Sequence, residues 1–333
     1  MKISERKQKI LKALIDDYIV NCEPISSGYL QKLCLPEVSS ATIRSELGAL
    51  EEMGYLVQPH KSAGRMPSTK AYRYYVDNLM EKGANDIIAL QGFFDTKFKG
   101  VEEVVKSTAK IISDKTNYTS LVVLGGTDNV IIKDIKLVDI GDNTALVVII
   151  TDRGILKDKM IDIPQNMEGK FIVSANQVLN DTFSGKTLKE IVANPTMSDD
   201  VLNEYKIVFD EIIDMLTRYK EDREGKVYLE GADKIFEYKE FENVDNVKNF
   251  LSVINTKEKI HELVDGEDNV EISIKIGKDD SVEDNMAIVS AKCVIGGRDI
   301  GHAVVIGPER MDYKKVVSVL GGVTKAIENI KKE

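Results

Sequence analysis

The sequence holds three cysteines, Cys22, Cys34 and Cys293, far apart in the chain and without a CxxC pair. An odd number so spaced argues against a disulfide framework or a zinc site and fits reduced thiols in a cytoplasm, where small buried hydrophobes are the favoured role. Long apolar runs are missing too. No stretch reaches the roughly 18 uninterrupted apolar residues of a membrane span, and the opening MKISERKQKILKAL is charged where a secretion signal needs an apolar run. The expectation is a cytoplasmic protein with no membrane partner. Histidine is scarce: His60, His261 and His302 are isolated, with no second ligand at metal spacing. The pairs Gly125-Gly126, Gly296-Gly297 and Gly321-Gly322 lack the pattern of a phosphate loop, and no nucleophile is paired to a base. These absences leave catalysis without positive support, so the chain is expected to be neither an enzyme nor a cofactor protein.

Acid is also missing locally. The stretch QPHKSAGRMPSTKAYRYYV, from Gln58 to Val76, has no Asp or Glu in a chain of formal net charge -10. Residues 1–80 carry 11 basic and 9 acidic side chains, while the remainder carries 34 and 46. The two parts create fields of opposite sign. With 333 residues, 43% of them hydrophobic, there is material for two or three domains of roughly 100–200 residues each.

What is present in the first 80 residues is a regular order of elements. Ile10, Leu11, Leu14, Ile15, Tyr18 and Ile19 repeat at helical spacing, and a second helix starts after Pro24 at Ser26-Ser27 with Leu30 and Leu33 as its inner face. A third is capped by Ser39, lined by Ile43, Leu47 and Leu50, and ended by Gly54. YLVQP reads as a strand, HKSAGRMP as a loop tip, and Ser68 or Thr69 as the start of a further helix that turns Tyr72 and Tyr75 or Val76 inward. Three helices, a strand and a basic loop make the order of a winged helix-turn-helix, whose third helix enters the major groove. Its amino end would direct Ser39, Ser40 and Thr42 at phosphates, and Ser45 lies on the groove side. Arg44 could read a guanine edge, bind a phosphate or pair with Glu51. His60, Lys61, Arg65, Lys70 and Arg73 would attract the DNA backbone.

At this point a family likeness enters. SSATIRSELGALEEMGYLVQPHKSAGRMPSTKAYRYYVD, with EPIS near residue 23, TSLVVLG at 119, KVYLEG at 226 and GGRDIGHAVVIGPERMDYKKVVSVL at 296, resembles the heat-inducible transcription repressor HrcA family over essentially the whole chain. Ser45-Glu46 stands where that family's pattern has Asn then Glu, which removes an expected contact from Asn to adenine. Ser26-Ser27-Gly28 likewise lacks the family's lysine. The resemblance implies an α+β protein: an N-terminal winged helix-turn-helix (1–80), a GAF-like α/β domain with an antiparallel sheet (81–128 and 226–333), and an inserted dimerisation domain (129–225). It further implies a homodimer on an inverted-repeat double-stranded DNA operator ahead of chaperone genes, with the chaperonin as modulator. GAF-like domains often hold small molecules, so a ligand-responsive regulator is the alternative.

Periodicity is compatible with that layout. A helical stripe runs through Ile87, Phe94, Phe98, Val101, Val105, Thr108 and Ile112; strand-like runs fall at 119–125, 130–140, 144–151 and 155–163; a helical region spans 168–222. The run 130–140 fits either domain. VEISIKIG, MAIVSAKCVIGG and DIGHAVVIG read as three antiparallel strands, the last two joined at Gly296-Gly297. Val316, Leu320, Val323, Ile327 and Ile330 then line a terminal helix. Between 198 and 220 two apolar rows lie side by side, Val201, Tyr205, Val208, Ile212, Met215 and Tyr219 beside Leu202, Phe209, Ile213 and Leu216. Such a helix either buries both rows in its own domain or offers one to a second chain; the inserted domain of the family favours the latter, with Val208, Phe209, Ile212 and Ile213 as dimer contacts.

Overall fold

The computed structural model describes residues 3–80, 101–128, 130–152, 154–163, 169–195, 199–223, 226–264, 271–277, 282–295 and 298–328. Serines open the first four helices. Ser4, Ser26, Ser39 and Ser68 each hold extended backbone and accept from the amide three residues on, starting α1 (Glu5–Asn21), α2 (Ser27–Cys34), α3 (Ser40–Glu52) and α4 (Thr69–Tyr74). Each such cap satisfies an amide that the first turn leaves without a carbonyl, worth about 1 kcal/mol. Ile10, Leu11, Leu14, Ile15 and Tyr18 of α1 are buried, as are Leu30 of α2 and Ile43, Leu47 and Leu50 of α3. Leu33 departs from expectation at 49% exposed: α2 is barely two turns long, and only Leu30 of the two reaches the core.

Beyond α3, Gly54 is left-handed (φ +78°), and β1 (Leu56–Val57) pairs antiparallel with β2 (Met66–Pro67). The hairpin is tied at its base, where Ile25 and Arg65 exchange backbone hydrogen bonds of 2.9 and 2.8 Å. A Cβ at Gly64 would stand 2.4 Å from the Ile25 oxygen, so only glycine permits this approach. Tyr72 and Tyr75 are buried, and α4 runs into a π-helical stretch, Tyr75–Leu79.

The chain forms two compact units, residues 1–123 with 227–333, and 124–226. Helix α5 (Val101–Thr116) and β3 (Thr119–Leu124) precede the second unit. Of the stripe expected from residue 85, Ile87, Phe94 and Phe98 lie outside the described residues. The second unit is a sheet of β4 (Ile132–Gly141), β5 (Thr144–Thr151) and β6 (Gly154–Asp162), antiparallel in that order. Thus 130–140 belongs to the insertion. Asp142 and Asn143 are both left-handed (φ 49° and 58°), a turn whose twist suits a hairpin. The helical region divides into α6 (Gly169–Phe183), α7 (Leu188–Ala193) and α8 (Asp199–Arg223). At the edge strand β4, Asn176 exchanges two hydrogen bonds with the backbone of Leu137 (2.8 and 2.9 Å) and Asn180 two with Ile135 (2.9 and 2.8 Å). Amide side chains thereby satisfy an edge that would otherwise offer itself for pairing.

Helix α8 does not divide its two rows between neighbours. Val208, Phe209 and Ile212 are 1%, 3% and 0% exposed, and Ile213 is packed against the same core. The reason is that α8 meets β6, α7 and α6 at once, with Phe209 stacked on Phe183 at 5.3 Å and Tyr205 on Phe171 at 5.1 Å. Of the four residues expected to face a partner chain, Val208, Phe209 and Ile212 are therefore core residues of their own unit, and Ile213 is partly buried against them. The bare surface is the opposite face of the sheet. Register places Val138, Leu146 and Met160 in one cross-strand row, with Val138 and Met160 46% and 66% exposed and Leu146 half-buried.

Leu124 N–H donates to Lys226 O at 3.0 Å, so the insertion leaves and returns at one point, and Val123 pairs with Val227 in β7 (Val227–Glu230). This lets a whole unit be inserted without spreading the parent sheet. After two 3₁₀ turns come α9 (Val244–Asn255), α10 (Lys257–Val264), β8 (Ile272–Ile276), β9 (Met286–Ile295), β10 (Arg298–Pro308) and α11 (Tyr313–Glu328). The sheet order is β7-β3-β10-β9-β8, and β8, β9 and β10 are antiparallel as expected. Gly296-Gly297, the expected turn, and Ile330 lie outside the described residues. One sheet face meets α5 and α11, the other buries Leu121, Val123, Ile288, Val304 and Ile306 against Phe250, Val253, Ile260 and Leu263. Every side chain of β3 is buried because both faces are covered. Burial pushes the Cys293 thiol in β9 up to about 12.

Candidate nucleic-acid interface

Helix α3 presents a polar face. Arg44 and Ser45 are exposed, opposite the buried Ile43, Leu47 and Leu50. At its amino end Ser39 Oγ accepts from Thr42 N–H at 3.1 Å and lies 2.8 Å from Thr42 Oγ1, while Ser40 Oγ is 3.3 Å from Ser27 Oγ in α2. Ser39 is exposed and Ser40 and Thr42 half-buried, so the positive end of the helix dipole is presented with hydroxyls around it.

Glu46 and Glu51 of α3 are neutralised from outside it, while Glu52 in its last position is exposed. Glu46 is paired with Lys7 (2.7 Å) and Arg6 (3.4 Å) of α1, and Glu51 with Arg65 (2.8 Å). Arg65 rather than Arg44 is thus the partner of Glu51. Sequence reasoning did not find Lys7 and Arg6, since nothing local links positions that lie 39 and 40 residues from Glu46.

The basic residues expected to line DNA separate into two groups. His60 and Lys61 are exposed at the hairpin tip, which Gln58 orders by donating Nε2 to Lys61 O (3.1 Å) and Ala63 O (2.9 Å). Arg65, Lys70 and Arg73 have protein partners. Lys70 donates to Met53 O at 2.9 Å and lies 4.7 Å from the Tyr55 ring centroid, a cation at the carboxyl end of α3. Arg73 Nη2 donates to Ile274 O in β8 at 2.9 Å. These three anchor the hairpin and α4 instead of standing free at the tip. Tyr72, buried in the core, has its hydroxyl pushed well above the ordinary range by desolvation.

Among the described residues no His, Cys, Asp and Glu cluster suits a metal ion, and no helix is long and apolar enough to cross a membrane. The chain matches the family model for the HrcA protein C-terminal domain over residues 102–317. It is similar to the heat-inducible transcription repressors HrcA of Thermoanaerobacter pseudethanolicus (33% identity, covering 99% of this chain and 97% of that one), Alkaliphilus metalliredigens (34%, 100% and 99%) and Clostridium tetani (36%, 100% and 97%). A solved crystal structure of a hypothetical protein shares the fold at TM-score 0.64, with 21% identity over 98% of this chain and 99% of that one. With the family model matched over most of its length and relatives aligned from end to end, this chain belongs to the HrcA family of heat-inducible transcription repressors.

Proposed function

We propose that the protein represses chaperone operons by binding an inverted-repeat operator as a homodimer. The N-terminal residues 1–80 act as a winged helix, and the five-stranded part as a GAF-like domain. The observation that carries the reading is α3, whose Arg44, Ser45 face is exposed while Glu46 and Glu51 are held in ion pairs next to an acid-free hairpin. Charge compensation matters here because an unpaired carboxylate on a groove-facing helix would repel phosphates. Ser39, Ser40 and Thr42 would hold phosphates, Arg44 would meet a base edge or phosphate, and His60 and Lys61 would follow the backbone.

The homodimer is placed on the bare face of the inserted unit, the row Val138, Leu146 and Met160, since α8 has no uncovered apolar row among the residues whose burial is described. An exposed apolar row across three strands is the surface that a second copy would bury. The likeness to the family also brings the chaperonin as modulator. One titration tests these points: retardation of an inverted-repeat duplex against a scrambled one, with and without chaperonin. Equal affinity for both duplexes would overturn the repressor reading, and binding unchanged by chaperonin would remove only the modulator.

A further inference from the structure

The turn from β10 into α11, within GPERMDY, does more than reverse the chain. Arg310 donates Nη1 to Ile19 O at 3.1 Å, in the last turn of α1, and Nε to Glu240 Oε1 at 2.5 Å. Its guanidinium lies 5.4 Å from the Tyr238 ring, which stacks on Tyr118 at 5.3 Å. Next to it, Glu309 Oε2 accepts from Thr69 Oγ1 in the first turn of α4 at 2.8 Å, and the Tyr313 ring stands 6.3 Å from Tyr72. Arg73 of α4 reaches Ile274 O nearby, and Lys239 pairs with Glu23 at 3.3 Å. One turn therefore holds both α1 and α4.

The contact is tight and mostly dry. The Arg310 and Glu240 side chains are 11% and 21% exposed. Gly277 has φ +58°, and a Cβ there would stand 2.6 Å from Glu309 Oε1 and 3.0 Å from Thr69 Cγ2, leaving no room for a side chain beside that hydrogen bond. A guanidinium at the carboxyl end of a helix meets the negative end of its dipole, and its planar fork fixes direction as well as distance. Taking away one partner of a shielded ion pair leaves the other with an uncompensated charge, so such a joint is held in one geometry or opened altogether.

We propose that the Glu309–Tyr313 turn is a rigid joint that holds the winged helix at one angle on the five-stranded sheet, with Arg310 as its positioning residue, and that this angle sets the half-site spacing of the operator. The joint stands on the contacts themselves, while its consequence for spacing rests on the repressor reading. A paired repressor with fixed winged helices accepts one separation of half-sites, and one with loose winged helices accepts many.

The test uses the full chain, its Arg310→Ala and Arg310→Lys variants, and Thr69→Val, which removes one hydrogen bond and serves if Arg310→Ala does not fold. Amide hydrogen exchange is measured together with binding to inverted repeats whose spacer is lengthened or shortened by single base pairs. In Arg310→Ala, exchange at 18–22 and 69–75 should quicken about tenfold while β9 and β10 hold their protection, and Thr69→Val should quicken 69–75 to a smaller extent. The spread of affinities across spacers should narrow by about tenfold, with the salt slope on scrambled duplex unchanged. Arg310→Lys, which keeps the charge and loses the fork, should fall between. Unchanged exchange in Arg310→Ala, or in Thr69→Val should that variant stand in for it, overturns the joint. Quickened exchange with an unaltered spacer profile overturns its role in spacing. A wild-type protein that does not prefer the inverted repeat defeats the repressor reading instead, and the exchange measurement still decides the joint.

Discussion

Helices α3 and α8 are both amphipathic, yet α3 buries one narrow stripe and α8 a broad face. In α3 a single stripe, Ile43, Leu47 and Leu50, is buried and Arg44 and Ser45 stay in solvent. In α8, Val208, Ile212 and Met215 are buried along with Phe209 and Leu216. The number of neighbours is the same, since each helix meets a strand and two helices; what differs is that α8 carries large apolar side chains, Phe209 and Leu216 among them, beside its first row. Width of an apolar face does not say whether the elements that cover it belong to the same chain.

The sharpest tests place a charge in α8 and another on the bare sheet face of the same unit. Val208→Asp should cost more than about 4 kcal/mol, because a carboxylate would be desolvated without a partner, and thermal unfolding should show loss of the insertion's cooperative transition. Met160→Asp, on the bare sheet face, should keep the unfolding transition while halving the mass seen in sedimentation; a folded dimer in that variant would move the interface elsewhere. Next in size is Asn180→Ala. Deleting the side chain that satisfies Ile135 N–H and C=O should lower the stability of the insertion by about 1–3 kcal/mol, read from denaturant midpoints.

On α3 the expected effect is on binding and not on folding. Arg44→Ala should leave the melting temperature in place and lower operator affinity by about 1–3 kcal/mol if the guanidinium reads a base. An equal fall on scrambled DNA would make it a phosphate contact. Lys61→Ala should weaken both duplexes alike and reduce the salt slope by about 1. Lys70→Ala separates tip from anchor: as a cap on Met53 O it should cost about 0.3–1 kcal/mol of stability.

The smallest effect concerns pH. Asp128 is held below the usual carboxylate range chiefly by its hydrogen bond from Lys220, at 2.7 Å, with burial opposing. A carboxyl whose folded value is lowered adds stability above its ordinary unfolded value and loses it as pH falls through the folded one. Asp128→Asn should therefore destabilise the insertion near neutral pH and converge on the wild type in acid, seen as merging unfolding midpoints.

How much was legible depends on range. Four serine caps, the stripes of α1 and α3, the left-handed Gly54 and the three antiparallel strands at the end all follow from neighbours within a few residues, where backbone geometry dictates which residue types fit. The acid-free stretch Gln58–Val76 was equally visible, but its cations were not distinguishable from one another: Lys61 at the tip and Arg73 against Ile274 O are both simply basic in the sequence.

The sequence by itself determined the helices and strands, the concentration of positive charge in the first 80 residues and the family resemblance. Tertiary structure alone decided that Glu46 is neutralised by Lys7, that Val208, Phe209, Ile212 and Leu216 of α8 are all core, and that Arg310 holds Ile19 O of α1 from 291 positions away. Local geometry is set by steric and hydrogen-bonding rules acting over three or four residues, whereas the fate of a charge or an apolar row depends on which distant segment arrives to cover it. That arrival is a property of the folded whole, because burial requires a partner surface and no residue carries its partner's position in its own spacing.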